Sequence, residues 1–179
     1  MQKLILYLFL LAGIALSCNN AATTSAEPAK DSTATSTAFV MNYPYTIEHP
    51  DYWEMGDPVN SMVALSSLKA WEDGKIDEAV KYFGDSVQLK FDGIDKKMTN
   101  DSLKVFFAAE RNKYKTVTVK MGDWESVISK DKKEEWVTVW YKQVWETPKG
   151  VKDSVDVIND LKMKDGKIVR LDEYTRKFH

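Results

Sequence analysis

From residue 57 onward the apolar positions fall into a helical rhythm. Asp57 is a capping residue followed by Pro58, and Val59, Met62, Val63, Leu65, Leu68 and Trp71 recur at mostly helical spacing until Gly74 stops the run. A shorter helix is predicted next, with Ile76, Ala79, Val80 and Phe83 at i, i+3, i+4 and i+7, Asp77 and Glu78 in its first turn, and Gly84-Asp85 as its end. The period then switches to two: Val87, Leu89 and Phe91 alternate with Ser86, Gln88 and Lys90, which predicts a strand with one buried face. A third helix is expected from Thr99-Asn100-Asp101, carrying Leu103, Phe106, Phe107 and Tyr114 on one side. Beyond Lys115 the pattern is strand throughout, over 116–121, 124–130, 134–146, 154–163 and 167–176, with joints at Gly122-Asp123, Lys130-Asp131-Lys132, Pro148-Lys149-Gly150 and Lys164-Asp165-Gly166. Helices first and an antiparallel meander afterwards is the α+β pattern.

The residues before 57 have a different character. After Lys3 an apolar run from Leu4 to Leu16 ends in Ala15-Leu16-Ser17-Cys18, shorter than the ~20 residues that span a bilayer. The string resembles a bacterial lipoprotein signal, which implies removal of residues 1–17, lipidation at Cys18 and a membrane anchor facing the periplasm or on the outer membrane. Residues 19–38 hold six Ala, five Thr and three Ser, so they cannot offset their ordering entropy and read as a flexible tether. Residues 39–179 then make one domain, opened over 39–56 by an aromatic, proline-punctuated arm that is expected to lie on it without regular structure.

Charge and inventory narrow the chemistry. A net charge of −2 and a pI near 5.8 offer no basic surface for nucleic acid. The single cysteine excludes an internal disulfide, and the two histidines, His49 and His179, do not make a His-rich metal site, so neither metal nor cofactor is expected. No glycine-rich phosphate loop and no Gly-x-Ser-x-Gly elbow is present. On the long strand 134–146, Trp136 and Trp140 share one face and Tyr141 and Trp145 the other, which suggests core on one side and a sheet-to-sheet homodimer surface on the other.

The last hairpin is the most informative segment. A two-residue Asp165-Gly166 turn would place Arg170 and Asp172 on the same face as Val157, Leu161 and Met163. A three-residue Lys164-Asp165-Gly166 loop separates them, pairing Met163 with Lys167 and setting Asp160 across from Arg170. The second register is therefore expected. It turns Val157, Asn159, Leu161, Val169, Leu171 and Glu173 to the apolar side, where a carboxylate must be paired, wetted by a pocket, or raised in pKa. Two readings stay open: Glu173 near an open rim with Asn159 satisfying backbone, or both as polar contacts of a ligand pocket. Asp92, in Phe91-Asp92-Gly93, is a turn-former at a strand end and the third candidate for a polar contact.

The element order, with WEDGKIDEAVKYFGDSVQLKF and SVDVINDLKMKDGKIVRLDEY, resembles the nuclear transport factor 2-like superfamily over about residues 57–176. That resemblance implies a cystatin-like cone, with the helices packed in the concave face of a curved antiparallel sheet. Carried over from the ketosteroid isomerase branch, the oxyanion-binding acid falls on Asn159, the general base on Lys90 or Asp92, and the supporting tyrosines on Ser67 and Phe107. Most of these residues cannot perform the family's proton transfer, so the expectation is a domain that binds a small, largely apolar ligand or serves an accessory role. The alternative is an isomerase, cyclase or dehydratase-type enzyme with a pocket carboxylate as base.

Overall fold

A computed structural model of the chain describes residues 42–48 and 52–177; the signal, Cys18 and the tether lie outside them. The architecture is that of the compact unit beginning at Tyr45. In chain order it comprises β1 (Trp53–Met55), α1 (Pro58–Glu72), α2 (Ile76–Val80), β2 (Phe83–Phe91), β3 (Ile94–Thr99), α3 (Asn100–Arg111), β4 (Thr116–Ser129), β5 (Glu135–Glu146), β6 (Lys152–Lys164) and β7 (Lys167–Lys177). One seven-stranded sheet runs β1-β4-β5-β6-β7-β2-β3, antiparallel except where β2 lies parallel to β7. The sheet curls around the helices without closing, so the α+β class and the cone stand, while the sheet is mixed.

The helices begin where their caps require. The Asp57 carboxylate accepts from the Val59 amide at 2.8 Å ahead of Pro58, and the Thr99 hydroxyl accepts from the Ser102 amide at 3.3 Å. Of the large side chains expected on the buried stripe of α1, Val63, Leu65, Leu68 and Trp71 pack partly buried against the core and Val59 and Met62 are exposed; the fully buried positions are Asn60, Ser61, Ala64, Ser67 and Ala70. Small residues let the helix lie close to the sheet, and the Ser67 hydroxyl is satisfied by donating to the Ala79 carbonyl at 3.1 Å. Phe83, expected at the end of α2, instead opens β2, and the Asn100 amide holds that junction by donating to the carbonyls of Val80, Phe83 and Gly84 at 3.0–3.3 Å.

Three other expectations change. The arm carries a short strand, β1, paired on the β4 edge. β3, read in the sequence as no element at all, is a charged edge strand, Ile-Asp-Lys-Lys-Met-Thr, whose lysines keep the sheet edge from templating another chain. Gly122-Asp123 is not a turn: β4 is continuous, with a bulge between Met121 and Asp123. A Cβ on Gly122 would stand 2.9 Å from the Trp140 carbonyl, so only glycine fits this bulge without a shift.

The final hairpin corrects the expected register. Lys164 pairs with Lys167 across a two-residue turn in which Asp165 and Gly166 both take positive φ, 52° and 70°. A bulge at Val169 then shifts the pairing, so that Lys162 opposes Arg170, Leu161 opposes Leu171, and Asn159 opposes Glu173. The bulge restores the separation of faces that the expected three-residue loop would have given. It also overturns the predicted Asp160–Arg170 pair, because Asp160 stands across from Asp172.

Candidate functional site

Between the helices and the inner face of the sheet lies a cavity of about 370 Å³. Its floor is the inner face of β5, β6 and β7, its walls are one face each of α1 and α3, and the turn between β2 and β3 contributes Asp92. The hollow exists because α1 sets Ala64 and Ser67 over the sheet where bulkier residues would fill it. Phe106 stacks on Phe91 at 5.8 Å between ring centroids, and Phe107 meets Phe83 edge-on at 5.4 Å, which makes the wall largely aromatic.

All three candidate residues line this cavity: Asn159, Glu173 and Asp92. Asn159 and Glu173 are opposed in the β6–β7 register and project to the same side. Asn159 is 7 % exposed; its amide nitrogen donates to the Tyr141 hydroxyl at 3.2 Å, and its Oδ1 is buried with no partner. Glu173 is half-buried, because its carboxyl meets the hollow and not the outer solvent, and among the described residues no hydrogen bond reaches it. Burial first, and the Glu110 carboxylate second, push its pKa up to about 7. Tyr141, fully enclosed, is held well above the ordinary tyrosine value by burial, with the charge of Glu173 adding to it. Asp92 occupies the two-residue turn with Gly93, is exposed, and lines the cavity as well.

Lys90, the other position for a base, turns to the opposite face of β2, its ammonium 3.5 Å from Asp95. Ser67 and Phe107 do line the cavity, in α1 and α3, and neither supplies a phenol. The phenols present are Tyr141, on β5, and Tyr114, just past α3. Glu110, Lys113 and Tyr114 complete the wall at the end of α3, where Lys113 binds both Glu110 oxygens at 2.6 and 2.7 Å. The sequence signal for this group is helical spacing carried about three turns past Leu103, through Phe107 and Glu110 to Tyr114.

The outer face of the same strands is satisfied throughout its polar row. Thr138 donates to Asp160 at 2.7 Å, and Arg170 grips Asp172 through Nε at 2.7 Å and through a second contact. Arg170 and Lys162 both lie over the Trp136 ring, 5.3 and 5.5 Å from its centroid. A neighbouring cross-strand row, Trp140, Ile158 and Tyr174, is apolar and partly exposed. No helix among the described residues is long and apolar enough to cross a membrane.

No protein-family model matches the chain, and no curated protein matches it. Solved structures do. A cystatin fold protein from Novosphingobium aromaticivorans superposes with a TM-score of 0.54 at 14% identity, covering 64% of this chain and 97% of its own. An LEH-like epoxide hydrolase from M. tuberculosis gives 0.54 at 12% identity, over 66% of this chain and 84% of that one. A putative polyketide cyclase from Xanthomonas campestris gives 0.50 at 12% identity, over 65% and 90%. The fold is therefore the cystatin-like cone, a scaffold found in an epoxide hydrolase, a putative polyketide cyclase and an uncharacterized protein alike.

Proposed function

We propose that this chain is a lipid-tethered binding domain of the bacterial envelope, held by Cys18, whose cone takes up a small, largely apolar molecule with a polar end. The observation that carries the reading is the buried Asn159 Oδ1, left without a partner on the wall of an aromatic-lined hollow beside the Glu173 carboxyl. Leaving such an acceptor unmade costs about 1–3 kcal/mol, which a ligand donor recovers. The partly exposed row Trp140, Ile158 and Tyr174 is the surface on which a second copy would pack.

The test is saturable binding of the neutral fluorophore N-phenyl-1-naphthylamine to the full chain. Leu68→Trp, which fills the cavity from α1, should weaken binding about tenfold or more while circular dichroism stays native. Undiminished binding in that variant would place the probe elsewhere and remove the reading.

A second reading is favoured by one fact, the pKa of Glu173 near 7, which suits a general base at neutral pH. An isomerase, cyclase or dehydratase-type activity requires a pH–rate profile whose low-pH limb disappears in Glu173→Gln.

A further inference from the structure

Building on the binding reading, we infer that the cavity selects an organic cation, an apolar body bearing a primary or secondary ammonium, over neutral or anionic molecules of the same shape. The charge on the wall is mostly negative, while its neutral polar side chains, Tyr114, Tyr141, Gln143 and Thr175, can donate as well as accept. Three carboxylates line it, Asp92, Glu110 and Glu173, against one ammonium, Lys113. That ammonium is already committed to Glu110, so among the described residues no cation pairs with Glu173, while Asp92 is exposed to solvent.

The hydrogen-bond inventory points the same way. Asn159 has spent an amide N–H on the Tyr141 hydroxyl and presents a buried Oδ1 that has no donor. Glu173, directly across the strand pair, receives no donor from any described residue. An ammonium brings up to three N–H donors and a positive charge to these two acceptors, whereas an alcohol brings one donor and a carboxylate brings none. The aromatic side chains of Trp71, Phe106, Phe107 and Tyr114 on the same wall add surface that attracts a cation.

The charge of Glu173 makes the selectivity pH-dependent. The titratable groups on the elements around it are Glu110, Lys113 and Tyr114 at the end of α3, Tyr141 on β5 and Asp92 in the β2–β3 turn; the cavity residues of α1 are not titratable. Glu173 is neutral below about pH 7 and ionised above it, so a bound ammonium draws its proton off. Affinity for a cation should fall as pH drops below 7, with proton release on binding, while a neutral ligand feels no such change.

Calorimetric titration of the full chain with three indoles of one skeleton tests this: tryptamine, a cation; tryptophol, neutral; and indole-3-acetate, an anion. At pH 8 tryptamine should bind about tenfold more tightly than tryptophol, with indole-3-acetate weakest. Between pH 8 and pH 6 tryptamine should lose about tenfold and release protons, read as a dependence of the heat on buffer ionisation enthalpy. Glu173→Gln should abolish both the advantage and the proton release. If tryptophol equals tryptamine, or the advantage survives in Glu173→Gln, the cation inference is overturned and the binding reading stands. If none of the three binds at millimolar concentration, the binding reading falls and the inference with it.

Discussion

On the outer face of β6 and β7, Asp160 and Asp172 stand directly across from each other, and each has a partner: Thr138 for the first, Arg170 for the second. One step along the same strands, on the inner face, Asn159 and Glu173 also stand opposed, and there the Asn159 oxygen and the Glu173 carboxyl have none. The two pairs are neighbours in one antiparallel ladder and face opposite surroundings. Where the sheet meets solvent and neighbouring strands, the chain completes its polar contacts from its own residues. Where it meets the hollow, it leaves acceptors open and lets burial lift a carboxyl's pKa to about 7. Satisfied polar rows add rigidity, whereas open ones store a cost that only a ligand, water or a proton relieves.

Removing Arg170 should break this contrast most forcefully. Its partner Asp172 has a side chain only 9% exposed, so Arg170→Ala leaves a carboxylate in the sheet surface without its bidentate donor and strips a cation from the Trp136 ring. Breaking a buried pair by deleting one partner costs about 3–5 kcal/mol, and the one-third exposure of Arg170 itself places this case near the lower end, about 3 kcal/mol. Urea unfolding at neutral pH measures it. A loss under about 1 kcal/mol would mean that the outer row is a solvated surface pair and no counterpart to the inner one.

The sequence made the difference between faces legible because side chains alternate with period two, and parity survives errors that exact pairing does not. The expected three-residue loop and the observed two-residue turn plus Val169 bulge differ by two residues at positions 159–162, so Asn159 and Glu173 reach the hollow either way. What parity could not give was the partner: Asp160 meets Asp172, not Arg170, because no residue type announces the bulge. Val169 is an ordinary strand residue, and Asp165-Gly166 alone gives the turn. The same limit hid β3, whose charges read as loop, and the parallel pairing of β2 with β7, which depends on contacts eighty residues apart. The inner stripe of α1 was hidden for another reason. Large apolar residues dominate a periodicity reading, yet the helix approaches the sheet on Asn60, Ser61, Ala64, Ser67 and Ala70, and that choice of small residues is what leaves room for a cavity. The cavity itself was legible only as a place where Glu173 had to find relief.

A smaller effect sharpens the comparison further, because its sign is opposite to that of an ordinary deletion. Glu173 has a folded-state pKa raised from 4.5 to about 7. The folded protein therefore holds a proton that the unfolded chain releases, and the stability this provides is complete below about pH 4.5 and is lost as pH rises through 7. Glu173→Gln mimics the protonated form at every pH. It should match the wild type near pH 4 and exceed it at pH 8 by roughly 2 kcal/mol, less than the full shift implies because Glu173 is only half-buried. Paired urea titrations of both proteins at the two pH values read this directly. On the outer face, removing one charged partner destabilises; on the inner face, removing the charge should stabilise, as expected of a group kept for what it binds at the expense of stability. Equal stability of the two proteins at pH 8 would show that Glu173 is already compensated within the folded chain, and the contrast between the faces would disappear.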